Sequence, residues 1–134
     1  MVSVPFDPSL DLIYVDAELG GPRGARTFRF ALDTGCSQTL ITPEVVEEIG
    51  YTAGAGERIT TVTSALGKEY GYQMRVARFE TLGHAFDGWR VNVHVLHDDC
   101  GIQSLVGLDF LRRFNYEVRS AEGRILVSPV AATN

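Results

Sequence analysis

The chain has 134 residues, 45% of them hydrophobic and 22% charged, with a formal net charge of -5 and a pI near 5.1. That length specifies one domain over residues 1–134, able to bury about two-thirds of its unfolded surface. The acidic balance, with nothing more basic than the pair Arg112-Arg113, excludes a nucleic-acid footprint, and no apolar stretch nears the roughly 20 residues of a membrane-spanning helix.

The first residues, Met1 to Pro8, lack the charged start and apolar core of a secretory leader. Two cysteines, Cys36 and Cys100, make no disulfide framework, although a single bridge between them stays open. The expectation is a cytoplasmic protein with free thiols. Glycine recurs at 14 positions with β-branched and aromatic residues between, the pattern of short strands joined by tight turns. Residues 12–19 read as a strand closed by Gly20 to Gly24, and residues 27–32 alternate as a second. Thr42 is a candidate N-cap and Pro43 a first-turn residue of a short helix carrying Glu44, Glu47 and Glu48 near its positive end, with Gly50 to stop it. Residues 59–63 and 72–79 read as the arms of a hairpin whose tip lies at Ser64, Ala65, Leu66 and Gly67. Residues 89–95 alternate, with Val91, Val93 and Val95 on one face. The apolar run 102–107 leads into a helical turn or two at 109–114, and residues 116–119 and 124–127 form a closing hairpin. The whole is mostly β with two short helices.

Between the second strand and the first helix lies Asp33-Thr34-Gly35-Cys36-Ser37-Gln38. An Asp at a strand end is commonly only a turn residue whose side chain satisfies nearby amides. Here Gly35 removes the side chain that would keep amides away from the carboxylate, and Thr34 and Ser37 add hydroxyls. Amides bonded to a carboxylate favour its charged form and fix its orientation. Asp33 is therefore the candidate catalytic residue. Late in the chain, Leu105-Val106-Gly107 ends an apolar run just before a helix start at Asp109-Phe110-Leu111.

Together these two segments resemble the retropepsins, single-domain aspartic proteases related to the retroviral enzymes and found also in bacteria. The resemblance runs from Leu12 to Val127, with its sharp parts at 33–41 and 105–111. It implies a closed β-barrel of the acid-protease type, no cofactor and no metal, and cleavage of protein or peptide substrates. It implies that Asp33 is the catalytic carboxylate, that Thr34, Gly35, Cys36 and Ser37 complete its loop, and that Leu105, Val106 and Gly107 pack beside it. The hairpin tip, Ser64 to Gly67, would be a flap that folds over substrate and offers backbone N–H groups. Cys36 departs from the family, which usually has Ala or Ser there; a thiol is a weaker donor.

Aspartic proteolysis needs two carboxylates sharing one proton around a water, and this chain has one Asp-Thr-Gly. Asp109 is a poor second member, with no Thr-Gly after it; N-capping suits it better. The second carboxylate is expected from Asp33 of another copy across a two-fold axis, with Thr34 of each chain bonding across it. The alternative is a dimerisation or peptide-binding module that keeps the fold without turnover. A more distant rival is a metal site at His94, His97, Asp98, Asp99 and Cys100, whose spacing fits no tetrahedral zinc pattern. His94 is expected to face solvent, opposite the valines, and His84 reads as a loop residue.

Overall fold

A computed structural model describes residues 1–52, 54, 56, 58–64, 67–95 and 104–130. In chain order the elements are β1 (Val2–Pro5), β2 (Tyr14–Gly21), β3 (Gly24–Leu32), β4 (Leu40–Ile41), α1 (Pro43–Glu48), β5 (Arg58–Ser64), β6 (Gly67–Thr81), β7 (His84–Val93), β8 (Ser104–Val106), α2 (Leu108–Leu111), β9 (Phe114–Arg119) and β10 (Arg124–Pro129). One sheet runs β2-β3-β8-β4-β7-β6-β5, and β2 also pairs with β6 through Ala17↔Thr81 to Gly20↔Arg78. That extra pairing closes six of the strands into a barrel. A separate sheet has the order β1-β10-β9. The expected mostly-β barrel with two short helices is what the structure contains.

Alternation explains which faces are buried. Val15, Ala17 and Leu19 of β2 and Phe28 and Phe30 of β3 point inward, while Asp16 and Arg29 point out. Within a largely aliphatic core, several rings pack against one another. Phe79 meets Phe110 edge-on at 5.3 Å and Phe30 at 5.6 Å, and Trp89 lies 5.5 Å from Phe110. Such pairs each add about 1 kcal/mol beyond the area they bury. The β6–β7 connection is a two-residue turn, Leu82-Gly83, with positive φ at both positions. Leucine rarely adopts that conformation, but here its side chain is only 2% exposed, so burial offsets the strain.

The expected helix ends hold in part. Pro43 starts α1, and Gly50 ends it at φ +96°, with Gly50 N–H donating to Glu47 O and Tyr51 N–H to Val46 O, a Schellman closure. Thr42 takes the cap position with its backbone only: its carbonyl accepts from Val45 and Val46, while its buried Oγ1 has no partner among the described residues.

Other boundaries moved. The strand expected at 89–95 runs from His84 to Val93, so His84 is a strand residue. Beyond Val93 the alternation breaks: Val95 is 63% exposed, and His94, expected to face solvent, is only 3% exposed. His94 stacks against Gly71, where a Cβ would collide with its ring and with the Val93 carbonyl. β1 was not foreseen. It is short, ends in proline, and gains its stability from pairing with β10. No helix among the described residues is long and apolar enough to cross a membrane.

Candidate active site

The Asp33 loop is built by pairings distant in sequence. β3 runs parallel to β8 with Ala31↔Leu105 and Leu32↔Val106, and Asp33 N–H donates to Val106 O at 3.0 Å. The chain then turns sharply. Gly35 N–H donates to Asp33 Oδ1 at 2.8 Å and Cys36 N–H to Asp33 O at 3.3 Å. A Cβ on Gly35 would sit 3.2 Å from that same Oδ1, so a side chain there would crowd the carboxylate. Asp33 is half-buried, while Thr34, Gly35 and Ser37 are exposed.

Beyond the turn the loop rests on the start of α2. Leu108 N–H donates to Cys36 O at 2.8 Å and Asp109 N–H to Ser37 O at 3.1 Å. Gly107 lies so close that an added Cβ would be 2.6 Å from the Gln38 carbonyl carbon and 2.8 Å from Cys36 O. The sequence-predicted residues of the loop and Leu105, Val106 and Gly107 are thus brought together.

Asp109, expected as a helix cap, instead completes the arrangement together with Thr39. Asp109 does not cap α2; Gly107 occupies that position without a side-chain bond. Asp109 Oδ1 instead accepts from Thr39 N–H at 2.9 Å and from Thr39 Oγ1 at 2.8 Å. Thr39 Oγ1 in turn accepts from Gly107 N–H at 3.2 Å. Burial is the main reason the Asp109 carboxyl is held above the usual carboxylate range, with the Thr39 bonds pulling the other way. Asp109→Ala should lower the unfolding free energy by about 2 kcal/mol, because the fully buried Thr39 loses its acceptor. Asp109→Asn, which keeps an acceptor oxygen, should lose less; urea titration of both variants checks this.

The Cys36 thiol donates to Gln38 O at 2.9 Å rather than towards the carboxylate. Its pKa is raised by burial first, with the Asp33 and Asp109 charges adding, so it stays a thiol at neutral pH. The side chain is free of any disulfide.

The expected hairpin exists, but its second arm is residues 67–73 rather than 72–79, most of which pair with β7 instead. β5 and β6 pair from Arg58↔Gln73 to Ser64↔Gly67, while β6 meets β7 only from Tyr72↔Val93 onward. Residues 67–71 therefore have β5 as their strand partner and leave the barrel as an arm. Gln73 at its base donates to Gln38 Oε1 at 2.8 Å, linking arm to loop. Ser64 and Gly67 form its last described pair; Ala65 and Leu66 lie outside the described residues. So do His97, Asp98, Asp99 and Cys100 of the candidate metal site, and among the described residues no cluster of three potential ligands occurs. The role of Asp109 was misread and that of Gln38 missed for one reason: their partners are set by barrel closure.

The sequence profile of the family described as aspartyl protease matches residues 15–110. Among solved structures, the chain is similar to the crystal structure of a retropepsin-like aspartic protease from Rickettsia conorii, with a TM-score of 0.70 and 18% identity, covering 95% of this chain and 97% of that one. No protein of curated function matches at a significant level.

Proposed function

The chain belongs to the aspartyl protease family, and from that premise we propose that it is one half of an endopeptidase whose dyad is two Asp33 carboxylates, one from each chain of a homodimer. The observation that carries this reading is the Asp33 loop itself. It is rigidly held from behind by β8 and α2, and its tip, Thr34-Gly35, is exposed. A loop fixed at its base and open at its tip suits apposition with an identical loop across a two-fold axis.

In that dimer two carboxylates lie too close to ionise together, so the pair shares one proton and titrates as a unit. The charged member takes a proton from the bound water as the water attacks the scissile carbonyl carbon. The protonated member donates to the carbonyl oxygen, and the resulting tetrahedral species collapses with proton transfer to the leaving amine. The Gly35 amide holds one Asp33 oxygen in place, and Thr34 of each chain bonds across the axis. Substrate lies extended between the barrel and the arm formed by β5 and β6, taking backbone hydrogen bonds as an added strand would. The arm, whose last described pair is Ser64 and Gly67, closes over it and excludes water. The free Cys36 thiol accords with a reducing compartment such as the cytoplasm.

Mixed dimers test the shared dyad. When equal amounts of unmodified and Asp33→Asn protein exchange subunits, about one quarter of the dimers carry two intact loops. Peptidase activity at fixed total protein should then fall to about a quarter of the unmodified value. A fall only to one half would mean that each chain carries a complete site, and would overturn the shared dyad.

A further inference from the structure

β6 belongs to two structures. From Tyr72 onward it is a barrel strand lying on β7, whereas residues 67–71 have β5 as their strand partner. The arm that leaves the barrel here is a two-stranded ribbon, which has little rigidity of its own. Its direction over the barrel is therefore decided at the joint between Gly71 and Tyr72. On the barrel side of that joint Tyr72 faces Val93, and Gln73 donates to Gln38 of the Asp33 loop. On the arm side stands Gly71, whose backbone bends more readily than that of a residue with a side chain.

His94 lies directly against this joint. A Cβ on Gly71 would be 2.5 Å from both Cε1 and Nδ1 of the imidazole and would also strike the Val93 carbonyl, so the backbone of the arm rests on the ring. The ring is held in turn from the barrel. His94 N–H donates to Ile41 O at 3.1 Å, and Val93 just before it pairs with Ile41 of β4. Ile41 and Val93 are buried, and His94 is 3% exposed. A planar group fixed to a close-packed wall does not yield as an exposed side chain does. The residue of the joint best able to bend thus has a firm ring against it, on the side where its own side chain would have been.

We infer that His94 is a positioning residue: its ring is the stop against which the arm turns at Gly71, and it holds the arm where substrate is covered. The role is one of shape, and it reaches the reaction through Gly71 and the arm. Without the ring the arm keeps its β5–β6 pairing but spends less time in the covering position. Apparent affinity for substrate then falls in proportion to the time lost. The inference rests on the reading of the arm as the cover of a peptide substrate, so its test includes a measurement of the arm that needs no cleavage.

Trp89, the chain's single tryptophan, lies in the barrel and serves as an energy-transfer donor. A thiol-reactive acceptor is attached through Val62→Cys on the arm, in protein whose Cys36 and Cys100 are replaced by serine. Val62 pairs with Glu69 and Trp89 with Val76, so about 23 Å of β6 separates the two, at roughly 3.3 Å per residue. Time-resolved transfer should give one narrow distance in this parent and a broad distribution after His94→Ala. His94→Phe, which keeps a planar ring, should stay close to the parent. In otherwise unmodified protein, His94→Ala should raise KM about tenfold, as for an arm in place about a tenth of the time, and keep kcat within about threefold. His94→Phe should recover most of that loss. A purely structural His94 would lower the melting temperature and leave the distance distribution and KM unmoved. Should His94→Ala not fold, His94→Asn takes its place, with a smaller change in the same direction. An unchanged distribution in a folded variant, or His94→Phe as disturbed as His94→Ala, overturns the stop. A distribution that broadens with His94→Ala, beside an unmodified protein that cleaves no peptide, would instead keep the stop and sink the protease mechanism.

Discussion

Asp33→Asn should lower kcat/KM for peptide cleavage by roughly 10⁴-fold or more, the upper range for losing a general acid–base group, while leaving fold and dimer in place. The substitution is chosen for its shape. Asn keeps an oxygen where Oδ1 accepts from the Gly35 amide at 2.8 Å, so the turn retains its internal bond. Asp33 N–H still donates to Val106 O, because that contact belongs to the backbone. What disappears is the ionisable group in both copies at once, and with it the proton that the pair shares. The measurement is a progress curve on a peptide library, accompanied by urea unfolding and sedimentation on the same sample. Cleavage within tenfold of the unmodified rate would remove Asp33 from the chemistry. A dissociated or unfolded variant would show instead that the carboxylate supports structure.

Gly107→Ala is the second large effect, and it acts through packing alone. Its new methyl would lie 2.6 to 2.8 Å from main-chain atoms of Gln38 and Cys36, and main chain cannot swing aside as a flexible side chain does. Either α2 retreats from the loop or the loop is pushed forward. Overpacking of this kind costs about 3 kcal/mol, or roughly 10 °C in Tm for a chain of this size. Activity should fall further than stability, because Cys36 and Gln38 flank the active-site turn and catalytic geometry tolerates little displacement. Thermal melts beside kcat measured well below the melting range separate the two losses. An Ala variant as stable and active as the parent would mean that the loop and α2 do not need their close approach.

The parts of the molecule that the sequence exposes are those whose reasons are local. Asp33 to Gly35 announce a turn because small and polar residues interrupt an alternating strand, and the Schellman end of α1 is visible in Gly50 alone. Leu105 to Gly107 stand out as an apolar run closed by glycine. The misreadings have a common origin. Asp109 looks like a helix cap until β8 and β3 align and carry it to Thr39. His94 looks like an outward-facing strand residue until the strand stops at Val93 and Gly71 leaves a space that an imidazole fills. The arginines facing one another at Arg75 and Arg90 become a pair only once the β6–β7 register is known.

The clamp between Thr39 and Asp109 joins residues 70 positions apart. A segment holding the Asp-Thr-Gly and its neighbours therefore has no means of reproducing the loop when moved into another sequence. Its scaffold is spelled out near the other end of the chain, and it exists only after the barrel has closed.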